Sequence, residues 1–179
     1  MRIKPGYAGI VIQLPDNSII ADIGYGIDPV KGATYYIDRD QGESPDRAGE
    51  CAAYVSPEKF IQADVENGIP LPDHSCDFVV ASHIIEHLEN PVAFCKELSR
   101  IGKAGYIETP GLIQELRHNL EVHKWFVTKY GDTLILIRKR GVLKTPWLLP
   151  LWFPVKVMMY LFRQTCFHWE GTIKTVVIE

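Results

Sequence analysis

The chain has 179 residues, enough for one domain with a real core and too few for two ordinary ones. Hydrophobic residues make up 46% and charged residues 23%, the balance of a soluble globular protein. With 19 basic residues against 22 acidic the formal net charge is −3, which argues against a general nucleic-acid binder, because that function needs a basic excess.

The first 18 residues, "MRIKPGYAGIVIQLPDNS", carry neither a sustained apolar run nor a small-residue cleavage site, so they do not read as a secretory signal. Five short apolar runs follow: 18–23 "SIIADI", 33–38 "ATYYID", 58–64 "EKFIQAD", 76–82 "CDFVVAS" and 103–109 "KAGYIET". Runs of this kind suit strands buried on both faces of a parallel sheet. Between the fourth and fifth, Asn90 is placed to cap a helix and Pro91 to begin it. Val92, Phe94, Cys95, Leu98 and Ile101 form its apolar stripe, and Gly102 stops it. Strand, helix and strand at this spacing make a βαβ unit. Beyond Pro110, "LIQELRHNLEV" has helical character. "KWFVTKYGDTLILIRK" reads as a hairpin turning at Tyr130-Gly131-Asp132 and closing the sheet with an antiparallel pair. The four cysteines, Cys51, Cys76, Cys95 and Cys166, form no C-x-x-C pair and read as free thiols in a reducing compartment. With no signal sequence, the expected location is cytoplasmic.

"SHIIEHL", residues 82–88, contains His83-Ile84-Ile85-Glu86-His87, the H-x-x-E-H spacing of an inverted zinc peptidase. That chemistry needs the donors on a stable helix and a further acidic ligand. Here the motif leaves a strand directly, and Asn90-Pro91 opens the next element three residues after His87. Under two helical turns remain, so the expectation is that no metal is held by this motif.

"ADIGYGIDP" is more informative. A strand ends at Asp22, and Gly24-x-Gly26 lets the backbone turn tightly and approach a ligand. Asp28 and Pro29 stand where a dinucleotide fingerprint needs its third glycine, which counts against NAD. The second run ends at Asp38 and the third at Asp64. An acid at the end of the second strand can accept hydrogen bonds from ribose hydroxyls. Three acids in register, with G-x-G between the first two, point to a nucleoside-type site. The competing reading makes each an ordinary strand-end or capping acid.

Taken in order, "ADIGYGIDP", "YYIDRD" and "FIQADVENGIPLPDHSCDFVVASHIIEHLENPVAFCKELSRIGKAGYIETP" resemble the class I S-adenosylmethionine-dependent methyltransferases over residues 18–110. The closest pattern is the group with a D-x-G-x-G loop and S-H-x-x-E-H after the fourth strand, in which that segment holds no metal. The resemblance implies a Rossmann-like, doubly wound, mostly parallel sheet with an antiparallel edge hairpin, and S-adenosylmethionine as cofactor. It implies that Gly24 and Gly26 pass under the methionine part and that Asp22 helps to hold its ammonium end. Asp38 would bind the ribose hydroxyls, Asp64 the adenine amino group, and the Val65 backbone would lie beside the ring. Ser82 and His83 would line the methyl-transfer mouth, while Glu86 and His87 brace the turn. The chain departs from the pattern in an abbreviated first helix, with only Ile27 to Ala33 between Gly26 and the second strand, and in Tyr25, where a small residue or cysteine is common. It also shows no N-terminal lid helix.

Methyl transfer from a sulfonium is an in-line displacement, and an oxygen or nitrogen nucleophile often needs a base. His83 and His123 are the candidate catalytic residues, with His118 and Glu108 behind them. The acceptor class is a small molecule or a glycan- or lipid-linked substrate; a non-catalytic scaffold or a partner-dependent subunit is the rival reading. Residues 1–140 are expected to form the methyltransferase-like domain and 141–179 an extension packed on it. From Thr133 to Trp169 there is no acidic residue, and "TPWLLPLWFPVKVMMYLF" is rich in aromatic and apolar side chains. Prolines and Lys156 exclude a membrane span. The stretch 146–163 reads either as a packed C-terminal helix, on this chain or on a second copy in a homodimer, or as a peripheral contact with an anionic membrane. The edge strand "TIKTVVI" is expected after it.

Overall fold

All five apolar runs become strands of one sheet in the computed structural model, which describes residues 1–42, 50–118, 120–140 and 163–179. In chain order the strands are β1 (Arg2–Ile3), β2 (Ile12–Gln13), β3 (Ile20–Ile23), β4 (Tyr35–Asp38), β5 (Phe60–Gln62), β6 (Phe78–Ser82), β7 (Ala104–Pro110), β8 (Trp125–Tyr130), β9 (Thr133–Arg138), β10 (Gln164–Glu170) and β11 (Lys174–Ile178). Helix α1 (Pro91–Ile101) joins β6 to β7, and α2 (Leu112–His118) follows β7. The central sheet among the described residues runs β10-β7-β6-β3-β4-β5, and every neighbouring pair is parallel except β10 with β7. Strand order reverses at β3, with β4 on one side and β6 on the other. This is the switch point at which open α/β sheets bind ligands, beyond the carboxyl ends of the strands.

Alternation along the strands builds two cores. Ala21, Ile23, Val79, Ala81 and Ile107 pack with Phe94, Cys95, Leu98 and Ile101 of α1. Ile20, Tyr36, Phe78, Val80 and Tyr106 face the other way, onto Ile3, Val30 and Ala33. Helix α1 has the expected ends: Asn90 Oδ1 accepts from the Ala93 N–H at 3.0 Å, Pro91 opens the first turn, and the Gly102 N–H donates to the Leu98 carbonyl at 3.0 Å. The first crossover, by contrast, has no helix: residues 24–34 form turns. Their backbone is held by other groups. The Val30 N–H donates to Asp22 Oδ2 at 2.7 Å, the Tyr36 hydroxyl donates to the Val30 carbonyl at 2.9 Å, and the Ala33 N–H donates to the same carbonyl at 3.2 Å.

The hairpin forms as expected, with Tyr130 opposite Thr133 and Gly131 at φ 58° in the turn. Its position differs from the expectation. It does not close the central sheet, because the outer edge of β7 is taken by β10, paired from Gln164↔Pro110 to Glu170↔Ala104. The hairpin instead forms a second sheet in which β11 runs parallel to β9. Strand β10 escaped the sequence reading because only Thr165, Phe167 and Trp169 of "QTCFHWE" are buried, and polar residues between and around them leave no continuous apolar run. The expected membrane or dimer contact of 146–163 lies outside the described residues apart from Arg163. No described helix is long and apolar enough to cross a membrane.

Candidate active site

A cavity of about 760 Å³ opens at the carboxyl ends of β3, β4, β5 and β6, within the size range of small-molecule sites. The structure brings Gly24, Gly26, Asp38, Asp64, Val65, Ser82 and His83 to its walls. Gly24 and Gly26 have φ of 63° and 51°, the left-handed region that glycine enters without steric cost. At Gly24 space is also limiting: an added Cβ would lie 2.5 Å from Ile84 Cδ1. The Gly24 N–H donates to the Ile37 carbonyl at 2.7 Å, which fixes the loop to the end of β4. Asp38 is 8% exposed; its Oδ1 accepts from the Arg39 N–H at 2.8 Å and its Oδ2 from the Gly26 N–H at 3.4 Å. The acid at the end of the second strand and the glycine loop are therefore one hydrogen-bonded unit. Asp64 caps the 3₁₀ turn Val65–Asn67 through the Glu66 N–H at 3.1 Å and also accepts from Asn67 Nδ2 at 3.2 Å.

Asp22 and His123 do not reach the cavity wall. Asp22 is 2% exposed, lies under the loop and holds the Val30 N–H. Burial raises its carboxyl to about 7, the Val30 N–H pulls it down, and Asp28 and Asp38 push it further up. Asp22, to which the resemblance gives the ammonium end, thus does not bring its side chain to the cavity wall; it supports the loop that replaces the first helix. His123 is 7% exposed, and its Nδ1 lies 2.6 Å from Glu115 Oε2. It lies behind His87, the ring centroids 4.6 Å apart and the planes at 88°.

His83 adopts φ 55°, a strained value for a residue with a side chain. Its N–H donates to the Glu108 carbonyl at 2.8 Å. The ring stands between two buried carboxylates, with Nδ1 3.3 Å from Glu86 Oε1 and Nε2 3.4 Å from Glu108 Oε1. Burial lowers its pKa, but the close contacts and charges of Glu108 and Glu86 outweigh this and raise it to about 9. Both ring nitrogens therefore face acids, and neither is presented to an acceptor. The H-x-x-E-H segment is also divided: His83 faces Glu86 and Glu108, whereas donor atoms of Glu86, His87 and His123 come within 4.8 Å of one another.

The sequence reading missed the N-terminal strap. Gly6 and Tyr7 line the cavity. The Tyr7 N–H donates to Glu108 Oε1 at 2.6 Å, the Ala8 N–H to the same oxygen at 3.2 Å, and the Tyr106 hydroxyl to Glu108 Oε2 at 2.5 Å. The Tyr7 ring meets the His83 ring edge-on at 5.2 Å. A backbone strap thus stands where a lid helix was sought. Its one sequence signal was the paired glycines of "KPGYAG": Gly6 and Gly9 have φ of 58° and 74°.

Residues 21–107 match the family described as Methyltransferase domain. No curated protein matches the chain. Among solved structures, the chain is similar to a protein of Anabaena variabilis assigned to methyl transfer in an antibiotic biosynthesis pathway. The two are 25% identical, with a TM-score of 0.42, over 55% of this chain and 41% of that one. The match thus spans about two fifths of the Anabaena protein. A chain in the complex between the Haloferax volcanii Trm112 methyltransferase activator and the protein assigned as its methyltransferase is 15% identical, with a TM-score of 0.51. That match covers 89% of this chain and 84% of the other, and shows a shared fold. An S-adenosylmethionine-dependent methyltransferase of Mesorhizobium loti is 18% identical, with a TM-score of 0.41, over 71% and 61%. The methyltransferase-domain match over residues 21–107, just under half of the chain, contains the glycine loop bound to Asp38 and most of the cavity wall at the switch point, and it supports a class I S-adenosylmethionine-dependent methyltransferase.

Proposed function

We propose that the protein binds S-adenosylmethionine in this cavity and transfers its methyl group to a small-molecule or a glycan- or lipid-linked acceptor. The observation that carries the reading is the unit formed by Gly24, Gly26 and Asp38 at the cavity wall. An added Cβ at Gly24 would fill the close approach, and Asp38 stands at the strand end suited to ribose hydroxyls. When bound, the sulfonium supplies an electrophilic methyl carbon. The chain's own residues orient the acceptor and keep water out. Ser82 and His83 border the mouth, and Tyr7 closes it from the N-terminal side. With both ring nitrogens facing carboxylates, His83 shapes the mouth with its ring rather than serving as the proton acceptor expected from its sequence position. Transfer then relies mainly on alignment and the exclusion of water.

The scaffold or partner-completed reading is favoured by one feature. Among the described residues β11 is an edge strand, and its Val176, Val177 and Ile178 are 49%, 40% and 48% exposed, an apolar edge of the kind that pairs with another chain. Calorimetric titration of wild type and Asp38→Ala with S-adenosylmethionine and its demethylated product separates the two. Micromolar binding that the substitution abolishes supports the enzyme. Folded protein that binds neither ligand at millimolar concentration removes the stand-alone enzyme.

A further inference from the structure

We propose that Glu86, His87 and His123 bind a divalent transition-metal ion of the zinc class, at a site behind the cavity wall. One donor atom from each lies within 4.8 Å of the others, close enough for modest side-chain adjustment to bring all three onto one ion. Neutral imidazole nitrogens with one carboxylate suit zinc and its neighbours better than magnesium or calcium, which favour all-oxygen sets.

The surroundings match what a metal site requires. The two segments that carry the donors are already joined: the Lys124 N–H donates to the Glu86 carbonyl at 2.7 Å, and Trp125 Nε1 donates to the Leu88 carbonyl at 2.8 Å. The donors are thus held by backbone that does not have to be ordered on binding. His123 Nδ1 lies 2.6 Å from Glu115 Oε2, so its proton belongs on that nitrogen and the Nε2 lone pair is left for a ligand. Glu115 is in turn ion-paired with Lys139 Nζ. Carboxylate partners of this kind fix the tautomer and raise the basicity of metal-bound histidine. Glu86 supplies the charge. It is 1% exposed, and neither carboxylate oxygen makes a hydrogen bond among the described residues; His83 Nδ1, 3.3 Å from Oε1, is its near polar neighbour. His83 offsets part of the cost of burying this carboxylate, and Oε2 is left without a hydrogen-bond partner among the described residues. A cation on it would offset that cost while His83 remains the outer partner of the ligating carboxylate. His87 also borders the cavity, so the ion would brace the wall of the proposed active site without occupying it.

The test uses the full chain, stripped with a chelator and titrated with zinc by calorimetry and with cobalt(II) by visible absorption. The expected result is saturable binding of one ion per chain, with a cobalt spectrum characteristic of low coordination. His123→Ala and His87→Ala should each abolish binding, and Glu115→Gln should weaken it roughly 10–100-fold. His74→Ala and His118→Ala, at exposed histidines outside the cluster, should leave it unchanged. Circular dichroism establishes folding, and Glu86→Gln serves as the isosteric variant if an alanine variant unfolds. His123→Ala is not at the cavity wall, so S-adenosylmethionine titration of that variant separates failure of the metal site from failure of the methyltransferase reading. Stripped wild type that takes up no stoichiometric metal overturns the proposal. So does binding that survives His87→Ala and His123→Ala, which would mean an adventitious ion only.

Discussion

The two ends of the crevice are built by different means. At the end beyond β3 and β4, binding surface is made by backbone shape: two glycines with positive φ, Gly24 fastened to the Ile37 carbonyl and Gly26 to Asp38 twelve residues downstream. At the end beyond β6 and β7 it is made by buried charge. Glu108 gathers the Tyr7 and Ala8 N–H groups, the Tyr106 hydroxyl and His83, spanning 101 residues of sequence between Tyr7 and Glu108. A loop of the first kind fails when a side chain is added, and a cluster of the second kind fails when one is removed.

The largest effect should follow removal of the charge hub. Glu108 is 0% exposed, and Glu108→Ala leaves two backbone donors and a tyrosine hydroxyl without their acceptor and His83 without one of its carboxylates. Breaking a buried pair from one side costs about 3–5 kcal/mol. Urea denaturation should show a loss of this size. A loss comparable with a surface substitution would mean that the cluster is not formed in solution.

Gly24→Ala should come next. The residue would have to hold φ 63° and place its Cβ 2.5 Å from Ile84 Cδ1. The left-handed conformation alone costs on the order of 1–3 kcal/mol for a residue other than glycine. The loop should relieve this by moving, so affinity for S-adenosylmethionine should fall at least about tenfold, or 1.4 kcal/mol. Calorimetry that finds unchanged affinity would show that the loop does not shape the cofactor site.

This contrast also accounts for what was legible in the sequence. Apolar runs, caps and glycine turns act over a few residues, so the parallel sheet, α1 and the glycine loop could be read directly. Gly24, Gly26, Asp38, Asp64, Val65, Ser82 and His83 reach the cavity because their positions follow from strand ends. The charge cluster depends on which distant segments meet, and no local pattern encodes the contact of Tyr7 with Glu108 or of His123 with Glu115. Strand β10 was missed for a related reason: its half-exposed pattern gains meaning only beside β7.

A pH titration sharpens the comparison from the charged side. The His83 pKa is raised from 6.5 to about 9, so the folded chain holds this proton more tightly than the unfolded chain. The resulting stabilisation is complete below pH 6.5 and is lost as pH rises through about 9. Chelator-treated protein, in which no cation competes for Glu86, should lose stability across that window. In Glu108→Gln the loss should be smaller, because one of the two carboxylates is gone. The imidazole resonance of His83 should titrate at lower pH in the variant, and an unchanged midpoint would remove Glu108 as a cause.

The smallest effect on cofactor binding should come from Asp22, the residue on which motif and geometry disagree. The motif gives it a hand in holding the ammonium group. Alternation along β3 puts it on the face of Ile20, turned toward Val30 under the loop, and it is absent from the cavity wall. Asparagine keeps an oxygen for the Val30 N–H, so Asp22→Asn should change affinity for S-adenosylmethionine by no more than about threefold, under 1 kcal/mol. Its effect on stability should depend on pH. Burial raises the folded carboxyl from 3.8 to about 7, so its stabilising contribution is present below pH 3.8 and lost as pH rises through about 7. Above that the aspartate is a buried charge, and the variant should gain on wild type as pH passes from 4 to 8 in thermal melts. A large loss of affinity with the fold intact would mean that the carboxylate turns toward the ligand on binding, and that both halves of the crevice depend on charge.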